Sequence, residues 1–199
     1  MDAEDWDERY RTSELIWTAE PNRFVVEVLE GAAPGVGVDL ACGEGRNAVW
    51  LAERGWSMTA ADFSGEALAK AAALAGARGV EVTLVQADAV TWSPPPDQDL
   101  VLVAYLHLPA EERAAALGQA VGACGPGGQV VVVGHARANL DGGYGGPQDP
   151  AVLLDPEEVA ADLRLAGAEV LRSEHVERPV STDEGERTAI DTLVVARRG

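Results

Sequence analysis

The stretch Val36–Asn47, V-G-V-D-L-A-C-G-E-G-R-N, constrains what this chain can fold into more than any other. Val36, Val38 and Leu40 make an apolar run of strand length, Gly43 and Gly45 punctuate a turn, and a helical pattern begins at about Arg46. Strand, glycine-rich turn and helix open a nucleotide-binding βαβ unit. The glycines let backbone N–H groups approach a ligand, and the helix N-terminus adds a partial positive charge beside them. Asp39 lies four residues before Gly43, and Asp62 ends the next apolar run. A carboxylate at the end of the second strand, about 20 residues beyond the glycines, suits the hydroxyls of a ribose. Replacing Asp62 is therefore expected to weaken ligand binding while leaving folding little affected, since the residue ends a strand.

The rest of the chain repeats that unit. From Trp6 to Leu29 the pattern is helical, broken at Pro21, and Trp6, Tyr10 and Trp17 either lid a pocket or pack the segment onto the sheet. Arg46–Arg54 reads as a helix stopped at Gly55, Trp56–Ala61 as a strand, and Ser64 as the N-cap of a helix reaching about Ala75. A turn over Gly76–Gly79 leads to a third strand, Val80–Gln86, followed by Asp88. Asp99–Ala104 is a fourth strand, nearly all apolar, as a strand covered on both faces should be. Pro109 opens a helix that stops at Gly125, and Gln129–Gly134 is the fifth strand. A further helix starts at Asp155-Pro156-Glu157-Glu158 and ends near Gly167. Two strand-like runs, Glu169–Val176 and Thr188–Ala196, then follow with no helix between them and should form the only antiparallel pairing, at the sheet edge. The expected architecture is an α/β, Rossmann-like, doubly wound sheet of seven strands, parallel except for this C-terminal pair. It forms one domain, with residues 1–35 as a helical cap and residues 36–199 as the core.

Charge and cysteine content narrow the partners. The 199 residues carry a formal charge of -18, the wrong sign for a nucleic acid or an anionic membrane surface, both of which need lysine and arginine patches. Cys42 and Cys124 are too few for a metal cage or a disulfide framework, and no metal site is expected. An acidic N-terminus is no signal peptide, and no apolar run approaches membrane length, so a cytoplasmic protein, monomer or homodimer, is expected.

The set D-L-A-C-G-E-G at 39–45, then Asp62, Asp88, D-L-V-L-V-A at 99–104 and C-G-P-G-G at 124–128 resembles the class I S-adenosylmethionine-dependent methyltransferases. With W-D-E-R-Y and Pro21-Asn22 near the N-terminus, it looks closest to the small tellurite-resistance-type and related small-molecule enzymes. Ala41 departs from the family, which usually has glycine there. The resemblance implies S-adenosyl-L-methionine as cofactor, with Ala41, Gly43 and Gly45 along its methionine part and Asp39 orienting the ammonium. It also implies Asp62 on the ribose, Phe63 on the adenine with Asp88 and Ala89 at its edge, and the backbone of Ala104 and Tyr105 completing the site. The acceptor side is thinner: Tyr10, Trp17, His107, Arg137 and Tyr144 are candidates for a small-molecule substrate, and His135 a blander one. Asp141–Pro150, rich in glycine, would be a loop over the cleft carrying Tyr144. No catalytic residue is fixed; His107 either deprotonates an acceptor or packs in the cleft. A nicotinamide- or nucleotide-binding oxidoreductase and a non-catalytic S-adenosylmethionine-binding module remain open alternatives.

Overall fold

Runs of consecutive β-branched and leucine residues bury both faces of a strand, and the two central strands here do so by strict alternation. In β4 (Gln98–Ala104) Val101 and Val103 face one cluster and Leu100 and Leu102 the other; in β5 (Cys124–His135) Val130 and Val132 separate from Val131 and Val133 in the same way. The first cluster is closed by Ala116 and Leu117 of α5 (Ala110–Ala123) and by Val159 and Leu163 of α7 (Pro156–Leu165). The second is closed by Phe24 and Leu29 of α2 (Arg23–Leu29), Leu51 of α3 (Arg46–Ala52) and Leu68 of α4 (Gly65–Arg78). Each large apolar side chain among these contributes about 1.5–3 kcal/mol by leaving water.

The computed structural model describes residues 3–11, 19–183 and 185–199. With β1 (Val36–Leu40), β2 (Ser57–Asp62), β3 (Thr83–Gln86), β6 (Ala168–Thr182) and β7 (Gly185–Arg198), the sheet has seven strands in the order β3-β2-β1-β4-β5-β7-β6. The first five pair in parallel; β7 lies between β5 and β6 and runs antiparallel to both. Antiparallel pairing therefore occurs at two interfaces, not only between the last two strands, because β7 enters the sheet inside β6. The order reverses between β1 and β4, where Leu40 lies opposite Val103, so the chain leaves the two strands side by side. A crevice at such a point is where open α/β sheets bind ligands.

Several boundaries differ from the sequence reading for local reasons. Gly76 stays helical and Gly79, at φ +68°, takes the left-handed cap; the Val80 amide then bonds back to Ala75 O at 3.1 Å, which delays β3 to Thr83. The hairpin of β6 and β7 pairs as far as Thr182 and Gly185. Pro179 is tolerated within it because β6 is an edge strand, where a missing N–H breaks no ladder. Pro21 does break the N-terminal helix: Asn22 caps α2, its side chain accepting from the Phe24 amide at 2.9 Å, while α1 spans Ala3–Arg11. Asn139–Gly142 forms a short helical turn, α6, before the glycine loop. Among the described residues no helix is long and apolar enough to cross a membrane.

Candidate functional site

The glycine turn is held from both sides of the crevice. The Cys42 amide bonds to Ala61 O at 2.9 Å and the Gly45 amide to Cys42 O at 3.0 Å. Ala41, Gly43 and Gly45 all have left-handed φ values, +61°, +55° and +77°. At Gly45 a Cβ would lie 2.7 Å from that of Ala71 on α4, so the close approach of the two helices requires glycine. Ala41 carries the strain its position imposes, since a left-handed L-residue costs roughly 1–2 kcal/mol. Ala41→Gly is expected to stabilise the protein by about 1 kcal/mol, the relieved strain less the entropy glycine adds to the unfolded chain. A urea titration checks this; no gain would mean that Ala41 sits without strain.

Two carboxylates meet this turn in opposite ways. Asp62 ends β2 and is satisfied: Oδ2 accepts from the Gly43 amide at 2.8 Å and Oδ1 from the Ser64 amide at 3.0 Å. Burial raises its pKa, and those amides pull it back. Asp39, inside β1, is fully buried and neither of its oxygens accepts a hydrogen bond of good geometry, although the Ala48 amide lies near enough to act on it. Burial pushes its carboxyl up to about 7, with Asp62 adding to the rise and the Ala48 amide and Arg46 opposing it. An orphaned buried carboxylate beside a glycine turn is a place for a cationic ligand group, because an unpaired polar group there costs free energy until something pairs with it.

The remaining expected cofactor residues stand at or just beyond the carboxyl ends of β2, β3 and β4. Phe63 is half-buried and its carbonyl accepts from Gln86 Nε2 at 3.0 Å. Asp88 is exposed, with Oδ1 accepting from the Val90 amide at 2.8 Å, and Ala89 is buried beneath it. Ala104 ends β4, and Tyr105 follows with a left-handed φ of +57°. Helix α1 lies across α4 above the turn. Tyr10 is buried, and a Cβ on Gly43 would lie 3.0 Å from its hydroxyl. Asp7 accepts from Ser64 Oγ and, at 3.4 Å, from the Glu66 amide, and the Trp6 ring lies tilted against Tyr10 with centroids 5.6 Å apart. Tyr10 thus packs on the turn and α4 rather than on the sheet. Trp17 lies outside the described residues.

Across the crevice a second polar cluster centres on Asp191 of β7, which is fully buried. Its Oδ2 accepts from the Tyr105 hydroxyl at 2.7 Å and from Arg178 Nε at 3.0 Å. His135 Nδ1 stands 3.2 Å from Oδ1 but out of line for a hydrogen bond. Burial works to raise the Asp191 pKa; the His135, Tyr105 and Arg178 groups outweigh it and hold it below the usual range. The Tyr105 hydroxyl also accepts from Asn22 Nδ2 at 3.2 Å, and burial together with Asp191 raises its pKa. His107 Nε2 accepts from the His135 amide at 3.1 Å, and the two imidazoles stack with centroids 5.3 Å apart. Burial first, then His135, lowers the His107 pKa to about 4. Its one acceptor nitrogen is thus committed to backbone, so the structure gives His107 a packing place and no free basic nitrogen.

Arg137 and Tyr144 do not join this cluster. Arg137 makes a two-pronged pair with Glu158 at 2.8 and 2.9 Å on the surface, because Pro156 starts α7 directly beside it. Tyr144 is 46% exposed. Its loop is held by Asn139, whose amide donates to Gly145 O at 2.8 Å, and Gly146 approaches so closely that a Cβ there would lie 2.8 Å from the His135 ring. It is thus Gly146 that comes close to the His135 ring, while Tyr144 faces solvent. Asp191, Arg178 and Asn22, which the structure brings together at Tyr105, were not among the site candidates of the sequence reading. The one available signal was Asp191 itself, the lone carboxylate in the strand T-A-I-D-T-L-V-V-A.

Residues 38–128 match the family described as "Methyltransferase domain". The chain is similar to the demethylmenaquinone methyltransferase of Thermus thermophilus, 37% identical over 115 residues that make up 56% of this chain and 52% of that protein. It therefore spans about half the length of this curated relative. Among solved structures it resembles the N-methyltransferase NodS of Bradyrhizobium japonicum, determined in complex with S-adenosyl-L-homocysteine, at a TM-score of 0.74 and 18% identity, covering 100% of this chain and 99% of that one. TehB of Haemophilus influenzae aligns at a TM-score of 0.72 and 15% identity, over 99% of this chain and 67% of that one. At such identities the likeness is one of fold. Residues 38–128 thus carry a match to a methyltransferase domain, and this sheet order and the glycine turn between Asp39 and Asp62 agree with it.

Proposed function

We propose that this protein methylates a small-molecule acceptor by direct in-line transfer, and the observation that carries the reading is the orphaned carboxylate of Asp39 beside the glycine turn. Asp39 pairs with the ammonium of the methionine part, while Ala41, Gly43 and Gly45 let that part lie against backbone. Asp62 spends one lone pair of each oxygen on amides and retains others for the ribose hydroxyls. Phe63, Asp88 and Ala89 bound the adenine, and Ala104 and Tyr105 close the site from β4. When bound, S-adenosylmethionine supplies a methyl group on a sulfonium, which is already electrophilic. The residues around it then need mainly to hold donor and acceptor in line, an effect that can supply roughly 7–11 kcal/mol of a barrier. His107, neutral and bonded to the His135 amide, takes no proton in this scheme. Helix α1 serves as a cap, with Tyr10 excluding water above Gly43.

Calorimetry with S-adenosylhomocysteine and, separately, a reduced nicotinamide dinucleotide tests the reading; binding of the second and not the first would overturn it. Asp62→Ala is expected to weaken S-adenosylhomocysteine binding by about 1.5–3 kcal/mol. The same variant should also lower stability, contrary to what a strand-end position suggests, because the buried Ser64 amide and the Gly43 amide lose their acceptor. Unchanged affinity in a folded variant would remove Asp62 from the ribose site.

A further inference from the structure

Two guanidinium groups flank Tyr105, and only one of them has a carboxylate. Arg113, Arg137 and Arg197 each meet an acid within 3.2 Å. For Arg46, which opens α3 directly after Gly45, no carboxylate lies within ion-pair distance among the described residues. It is half-buried, burial lowers its pKa, and Tyr105, Asp39, Arg178 and Glu44 are the groups near enough to act on it. Glu44 is already paired with Lys70 at 3.1 Å. Arg178 arrives from the opposite side, on β6, with Nε fixed on Asp191 at 3.0 Å and its group beside the Tyr105 hydroxyl. Fixing Nε leaves the terminal nitrogens of the guanidinium as donors.

Around Tyr105 two guanidinium groups therefore meet one carboxylate, in a chain whose formal net charge is -18. Asp191 offsets one arginine. If the cofactor reading above holds, on which this step rests, Asp39 is matched by the ligand's ammonium and the sulfonium is offset by the carboxylate of the same methionine part, so neither supplies a partner carboxylate on the acceptor side. Arginine pairs carboxylates in a planar, two-pronged way, and such charge-assisted bonds strengthen where water is excluded.

We propose that Arg46 and Arg178 bind the carboxylate of the acceptor beside Tyr105, so that the substrates of this protein are small organic acids. Arg178 sets the position of that carboxylate because Asp191 holds its Nε, and Arg46 supplies the second guanidinium.

The test is equilibrium binding of benzoate and its neutral counterpart benzamide to protein saturated with S-adenosylhomocysteine, followed by calorimetry at two salt concentrations. Wild-type protein is expected to prefer benzoate by at least about tenfold, as charged hydrogen bonds predict, with the preference falling as salt rises. Arg178→Met and Arg46→Met should each erase most of that preference, Arg178→Lys should keep part of it, and the surface variant Arg137→Met should keep all of it. Circular dichroism establishes that each variant is folded. Equal binding of the two probes by wild type, or a benzoate preference that survives Arg178→Met, would overturn the proposal. So would loss of S-adenosylhomocysteine affinity in Arg46→Met with the benzoate preference intact, which would assign Arg46 to the cofactor's own carboxylate. Should wild type bind no S-adenosylhomocysteine, the cofactor reading fails instead, and the same probes on the free protein still decide the arginine site.

Discussion

Asp39→Asn is expected to raise the stability of the free protein by a few kcal/mol at pH 8 and by nothing near pH 3, while removing its affinity for S-adenosylhomocysteine. The Asp39 carboxyl titrates at about 7 in the fold, against 3.8 for an unperturbed aspartate. Between those pH values the folded protein holds a proton that the unfolded chain releases, so by linkage its stability falls as pH rises through the window. Every pH step of one across that window costs about 1.4 kcal/mol. Asparagine keeps the shape without the charge, although its amide is as short of partners as the acid was. Urea titrations of both proteins at pH 3, 5 and 8 check the effect; curves that stay parallel would show that Asp39 carries no buried charge. A ligand ammonium stabilises the ionised form, so binding S-adenosylhomocysteine below pH 7 should release up to one proton. Calorimetry in buffers of different ionisation enthalpy measures that release directly.

Asp191→Ala should be the most damaging single change in the acceptor half of the cleft. It leaves the Arg178 guanidinium and the Tyr105 hydroxyl without their acceptor. The expected loss is about 3 kcal/mol, at the low end for breaking a buried ion pair, because the Arg178 side chain is 26% exposed and can reach water. The fold holds the Asp191 pKa below its ordinary value. Its contribution is therefore full above pH 4 and is lost as pH falls through the lowered pKa. The gap between wild type and variant should thus be widest near neutral pH and close on acidification, the opposite of the Asp39 case. A double-mutant cycle with Arg178→Met separates the pair energy from the rest; additive losses would mean that Arg178 and Asp191 act independently.

Local chemistry made most of the fold legible. The alternation of Leu100–Val103 and Val130–Val133 is visible in the sequence because a strand turns successive side chains to opposite faces, so burial on both sides demands an unbroken apolar run. Ser64 and Asp155 announce helices because a cap acts within three residues of itself. Asp39, Gly43, Gly45 and Asp62 could be placed for a similar reason: adjacent parallel strands in a βαβ unit deliver their ends to one crevice. What asparagine, arginine and tyrosine do at the other side could not be read this way. Tyr105 meets Asp191 across 86 positions, and Arg178 meets it only because the hairpin register sets Arg178 against Ala189 and Val176 against Asp191. Register depends on how distant strands align, and a slip of one residue would turn Asp191 to the other face. The sequence by itself determined the strands, the caps and the glycine turn. Only the tertiary structure decided that Asp62 would be satisfied and Asp39 left bare, that Arg137 would face Glu158, and that Arg178 would face Asp191. Pattern acts over a few residues, whereas the partner of a buried charge is chosen by the packing of the whole sheet.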